Sequence, residues 1–280
     1  MRQIISTIVI TICFISCGTQ QKSTKKTPET VFTILDSIQK KFDEIAEKDS
    51  INFKKNAKFV SSKSISKSNH TAWHNLLQKY VSDDGKVNYV GLKEDRQKVL
   101  MYIDQLGAQK PTKDWSRNET LAYWINAYNV MTVDLILDSY PARKGIKEIR
   151  NPWKQRRWTI EGRAYNLDEI EHDILRKMNE PRIHFAINCA SFSCPPLLNE
   201  AFTANKMESQ LTQVTKAFLA DSKRNTITKN QLEISKIFKW FSKDFKQKGS
   251  LIDFLNLYSP IKINADANID YKDYDWRLNE

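Results

Sequence analysis

The chain alternates between polar stretches and amphipathic ones, and it begins with a run unlike anything later. Ile4 to Ile15 is largely apolar, and residues 18–30 that follow are polar. In 31–48 the apolar positions Val31, Ile34, Leu35, Ile38, Phe42 and Ile45 recur at helical spacing, which predicts an amphipathic helix there. Residues 49–69 turn polar again, so the spacing places the start of a compact domain near His70. Beyond it, Trp73, Leu76, Leu77 and Tyr80 predict a short helix, Asp83-Asp84-Gly85 a turn, and Val87 to Val90 a brief extended piece. Residues 93–106 read as a helix. The strongest helical pattern is 118–138, with Asn118 as a candidate cap, a wide apolar face, and Tyr140-Pro141 as a stop.

The second half mixes periods. Arg157 to Asn166 reads as a hairpin turning at Glu161-Gly162, and 167–178 as a helix opening with acidic residues, as the helix dipole favours. Ile183 to Ile187 reads as a buried strand, 208–220 as a helix, and Thr226–Thr228 with Gln231–Ile234 as a second hairpin. Short helices near 236–246 and 250–257 follow. The pattern predicts one helix-rich α+β domain over 70–280 with a small antiparallel sheet. At 280 residues with 40% apolar content, such a chain can bury a full core without disulfides or metals. Seven glycines and eight prolines exclude a collagen-like protein.

The N-terminal run changes the expected compartment. Arg2 precedes an apolar segment of signal-peptide length, too short to span a bilayer comfortably, and it ends in Phe14-Ile15-Ser16-Cys17. This resembles a bacterial lipoprotein signal. It divides the chain into a signal peptide (1–16), a tether (17–30), an accessory helix and linker (31–69) and the domain (70–280). Cys17 is then the lipidation site and the link to a membrane, and the domain is expected in the bacterial cell envelope, facing the periplasm. The net charge of +11 permits anionic partners, but an exported domain has no nucleic acid to meet. After lipidation only Cys189 and Cys194 remain as thiols, in a compartment where they can pair.

Three stretches carry a family resemblance: Leu121-Ala122-Tyr123-Trp124-Ile125-Asn126-Ala127-Tyr128-Asn129, Ile170-Glu171-His172, and Glu180 to Leu197 with Cys189-Ala190-Ser191-Phe192-Ser193-Cys194-Pro195-Pro196 at its centre. Together with Ser235 to Trp240, Asp244-Phe245 and Tyr274 to Asn279, they resemble the domain-of-unknown-function 547 family over roughly 70–280. The resemblance implies boundaries and a choice of residues, but no reaction.

Chemistry concentrates in 182–197. On a strand, His184, Ala186 and Asn188 would share one face. Cys189 or Cys194 is a candidate nucleophile, activated by His184 or His172, with Asn126 or Asn129 orienting the imidazole or binding an oxyanion. This mixture is analogous to papain-like and transglutaminase-like enzymes, in a different chain order. Glu171, Asn188 and Arg182 are candidate binding residues. Two other readings of the cysteines stay open: a zinc site with the histidines, for which the spacing is loose, and a disulfide closing a small loop. The basic and aromatic segment Lys147 to Arg163 could meet an anionic ligand or be a solvated hairpin. No phosphate-binding loop, dinucleotide fingerprint, H-E-x-x-H or G-x-S-x-G is present, and no cofactor is expected. The expected activity is a Cys–His hydrolase or acyltransferase on amide or thioester bonds. The alternative is a non-catalytic module binding a peptide or glycan of the envelope.

Overall fold

A computed structural model describes residues 69–280. The signal, Cys17 and the 31–48 helix lie outside the described residues. The fold is built around α4 (Arg117–Ser139), preceded by α1 (Thr71–Tyr80), α2 (Tyr89–Glu94) and α3 (Arg96–Ala108). Every position of α4 from Leu121 to Leu137 is buried, so it is a central helix wrapped on all sides. Its cap is Ser116 in a capping box with Glu119; Asn118, the expected cap, is the second residue of the helix and donates instead to the Ala204 carbonyl. The expected 93–106 helix is α3 together with the end of α2, broken at Asp95. The expected extended piece shrinks to a single bridge, Val87 to Val81.

After α4 come β1 (Trp158–Ile160) and β2 (Arg163–Tyr165), an antiparallel hairpin as expected. One helix, α5, then covers 167–178 in three pitches. Leu167–Glu169 is α-helical, Ile170–Leu175 is π-helical and Arg176–Met178 is 3-10. Asn166 caps it, accepting from the Glu169 amide at 2.8 Å.

The expected strand at 182–188 is instead a single helical turn, α6 (Ile183–Ala186). All four of its residues are buried, so alternation along it carried no information about facing. Phe185 belongs to a ring cluster with Phe218, Phe238, Phe245 and Phe254. There follow α7 (Met207–Ala220), β3 (Thr226–Ile227), β4 (Gln231–Ile234), α8 (Ile237–Trp240), α9 (Ser242–Phe245), α10 (Leu251–Asn256) and β5 (Asn268–Tyr271). β3 and β4 form the second expected hairpin, and β5 adds to β4 in parallel. The result is a helix-rich α+β domain with two small sheets. No helix among the described residues is long and apolar enough to cross a membrane.

The C-terminal tail positions the site. Phe192 and Ser193 donate backbone hydrogen bonds to Arg277 and Asp275, Asn279 donates to Ala190, and Ser191 bridges Leu278. The tail is pinned in turn by Tyr89, whose hydroxyl donates to Asn279 at 2.7 Å. Gly145, at φ +78, lets the 146–154 segment approach the tail, because a Cβ there would collide with the Trp276 carbonyl.

Candidate active site

The loop between α6 and α7 carries the two cysteines, and its shape is fixed by two side-chain amides and a guanidinium. Asn129 on α4 donates to the Ala186 carbonyl and accepts from the Asn188 amide, at 2.9 and 2.8 Å. Asn188 accepts from Ala190 and donates to the Pro195 carbonyl, which ties the two ends of the Cys189–Cys194 loop together. Arg224 donates to the carbonyls of Cys194 and Phe192. Held this way, Ala190 takes φ +61, a conformation L-residues rarely adopt and one that needs such support.

The loop turns Cys189 toward a cavity of about 730 Å³. Its floor and walls include Tyr128, Glu171, His172, His184, Cys189, Cys194, Phe241 and Tyr274. Its mouth is formed by Lys147, Arg150, Trp153, Lys154, Trp240 and Trp276. Cys189 is half-buried, whereas Cys194 lies beneath it at 4% exposure. Of the readings left open for the cysteines, the disulfide is not formed, and both thiols are free. They are nevertheless neighbours. The Cys189 amide donates to the Cys194 sulfur at 3.0 Å, and the two thiols hydrogen-bond each other.

The Cys189 sulfur also meets the hydroxyls of Ser191 at 2.9 Å and Tyr274 at 3.3 Å. The hydrogen bond from Cys194 lowers the Cys189 pKa most. Burial opposes the shift, while Ser191 and Tyr274 add to it, and the pKa falls to about 6. Burial pushes the Cys194 thiol well above its ordinary value, and the neighbouring Cys189 raises it further. One sulfur is thus poised as a thiolate and the other stays protonated beside it.

The π-helical stretch of α5 places Glu171 and His172 side by side on the cavity wall. Glu171 is buried and accepts from the Tyr128 hydroxyl at 3.1 Å. Burial raises its pKa to about 7, against the opposing pull of His172 and Tyr128. His172 sits nearer the rim, accepting from Arg176 through Nδ1 at 3.1 Å, with Nε2 3.6 Å from Asp168. His184 stacks on Phe241 at 3.9 Å and bonds Asp244 through Nε2 at 2.8 Å. Arg176 grips the same carboxylate at 2.6 and 2.9 Å. Burial opposes ionisation of Asp244, but His184 and Arg176 outweigh it and hold the carboxyl well below the usual range. Burial lowers the His184 pKa despite Asp244, and no hydrogen bond within the described residues reaches its Nδ1.

The structure therefore brings together five of the expected site residues: Glu171, His172, His184, Cys189 and Cys194. Neither histidine hydrogen-bonds a thiol; each is occupied by Asp244, Asp168 or Arg176. Asn129 and Asn188 lie behind the loop as its fasteners. Asn126 is away from the cavity, clamping both the amide and the carbonyl of Phe202. Arg182 is spent in an ion cluster with Glu180 and Glu208 rather than in ligand binding. Among the described residues no three His, Cys, Asp or Glu side chains gather as metal ligands would. Asp244, Tyr128, Ser191 and Tyr274 were not among the expected site residues, although all four lie within the motifs that carry the resemblance.

Residues 112–219 match the family described as "Protein of unknown function, DUF547". The DUF547 match is narrower than the 70–280 stretch of resembling motifs. It contains α4 through most of α7, and with them Glu171, both histidines and both cysteines. Tyr274, which lines the cavity, and Asp244, which holds His184 and Arg176, lie beyond it. No curated protein and no solved structure matches the chain.

The basic segment divides in two. Arg156 and Arg157 pair with Glu169 and Asp138, as does Arg163 with Glu169, and Trp158 is buried against Asp134. This half is part of the fold. Lys147, Arg150 and Lys154 instead line the cavity mouth with no carboxylate partner among the described residues. Lys147 lies 3.8 Å over the Trp276 ring.

Proposed function

We propose that the cavity is a thiol-dependent acyl-transfer site, acting on amide or thioester bonds, in an envelope protein held to its membrane through lipidated Cys17. The observation that carries this reading is the placement of the Cys189 sulfur, open to the cavity and held by three hydrogen-bonding neighbours that favour its ionised form. A thiolate attacks the carbonyl carbon, and the bond to nitrogen or sulfur breaks. The leaving group takes a proton from Glu171, which is partly protonated near neutral pH. Water then releases the acyl group with Glu171 as base. In this reading Glu171 replaces a histidine as the proton carrier, because neither imidazole hydrogen-bonds the thiol. His184, with Asp244 and Arg176, forms a rigid wall.

The test is intact-mass detection of an acyl-enzyme after mixing reduced protein with a small acyl thioester. Both cysteines fall in one tryptic peptide, 183–206, so the adduct can be located. An adduct on Cys189 that Cys189→Ala abolishes supports the proposal. No adduct and no hydrolysis contradicts it.

A binding role for the same cavity is favoured by its mouth. Trp240, 47% exposed, stacks near Trp276, and Trp153 meets Trp276 edge-on. Such a surface suits a sugar ring or peptide side chain. Trp240→Ala would then weaken association of a glycan or peptide that Cys189→Ala leaves intact.

A further inference from the structure

We propose that Cys189 and Cys194 also form a dithiol that exchanges with external disulfides, Cys189 attacking and Cys194 resolving. This rests on the same assignment of Cys189 as the nucleophile but is a separate activity, with a disulfide rather than an acyl compound as substrate.

The geometry is asymmetric in the way exchange requires. Cys189 faces the cavity, so an incoming disulfide meets it first. Cys194 borders the same cavity but is buried beneath Cys189 at 4% exposure and hydrogen-bonded to it, in a loop that Arg224 and the tail hold in place. Of the two sulfurs Cys189 is therefore the one an external disulfide meets, and Cys194, whose sulfur accepts from the Cys189 amide at 3.0 Å, is the one placed to resolve the mixed disulfide. The hydroxyls of Ser191 and Tyr274 that stabilise the Cys189 thiolate equally stabilise that sulfur when it leaves on reduction. A structural bridge would have no need of a cavity of this size over one of its sulfurs.

The balance is complete. The Cys189 thiolate attacks one sulfur of R–S–S–R, the S–S bond breaks, and one thiolate RS⁻ leaves. The Cys194 thiol gives up its proton to that thiolate and attacks the Cys189 sulfur. The mixed disulfide breaks, the second RS⁻ leaves, and the Cys189–Cys194 bond closes. The external disulfide gains the two electrons that the dithiol loses. In the oxidised form Cys189 is no longer free, so an oxidant also suspends the acyl transfer proposed above.

The experiment treats reduced full-length protein with oxidised glutathione and maps peptide 183–206 by mass. Wild type should lose two hydrogens from this peptide and retain no glutathione. Cys194→Ser should instead hold close to one glutathione per chain on Cys189, because the resolving thiol is gone. Cys189→Ser should hold almost none. Wild type that keeps glutathione, or that stays reduced while Cys194→Ser reacts, overturns the proposal; so does glutathione on Cys194 in preference to Cys189. The acyl-thioester assay, run on Cys194→Ser under reducing conditions, is independent. Acylation without exchange defeats only the dithiol proposal, and exchange without acylation defeats only the acyl-transfer reading.

Discussion

Cys189 owes its ionisation to neighbours that can be removed one at a time. Tyr274→Phe deletes one hydroxyl and leaves the ring stacking intact. A hydrogen bond to a charged group contributes about 1.5–3 kcal/mol, so the Cys189 pKa should rise by roughly one unit, read from the pH dependence of its alkylation. Asn188→Ala should act differently. It leaves the Ala190 amide and the Pro195 carbonyl without partners, which costs about 2–4 kcal/mol of stability, measurable by denaturant unfolding. At this scale the sequence singled out the right residue types but not their partners. Asn126, Asn129 and Asn188 bond backbone groups, 57 to 76 residues distant for the first two, and a backbone carbonyl leaves no mark in a sequence. Asp244 lies 60 residues beyond His184, at no spacing that periodicity can detect.

Among the elements, α5 carries the most consequence. Its π-helical stretch is invisible to a 3.6-residue count, yet it is what turns Glu171 inward while His172 stays at the rim. Glu171 binds its proton more tightly in the folded protein than in the unfolded chain. Its contribution to stability is therefore fully present below about 4.5, where both states are protonated, and is lost as pH rises through about 7. The loss runs at up to about 1.4 kcal/mol per pH unit, and Glu171→Gln should abolish that slope in unfolding curves taken across the window. The helices α1, α3 and α7 and both hairpins were legible because one face of each meets solvent or because a turn punctuates them, and α4, buried throughout, because of its length and the Tyr140-Pro141 stop. α6 was not, since Ile183, His184, Phe185 and Ala186 are all buried and an apolar run with no exposed face fits a strand as well as a helical turn.

For the whole molecule, the chain's last residues complete a site whose chemistry sits some 80 residues earlier. The tail delivers Tyr274 to Cys189 and straps the loop, and Tyr89 anchors the strap. Removing residues 274–280 should carry the alkylation midpoint of Cys189 toward that of a free thiol, about 8.5, and lower the unfolding midpoint. Such closure by distant segments is what a sequence hides, because it depends on which loops the core brings together. The proposed membrane attachment is a separate matter: if Cys17 is lipidated, Cys17→Ala abolishes lipid labelling and membrane retention.

The chemistry proposed for the cavity rests on one sulfur being a thiolate. The rate of iodoacetamide alkylation of peptide 183–206 as a function of pH measures it directly. The account predicts a midpoint at about 6, with the label on Cys189 and Cys194 unmodified. A midpoint at about 8.5 or above, or labelling of Cys194 first, would contradict it.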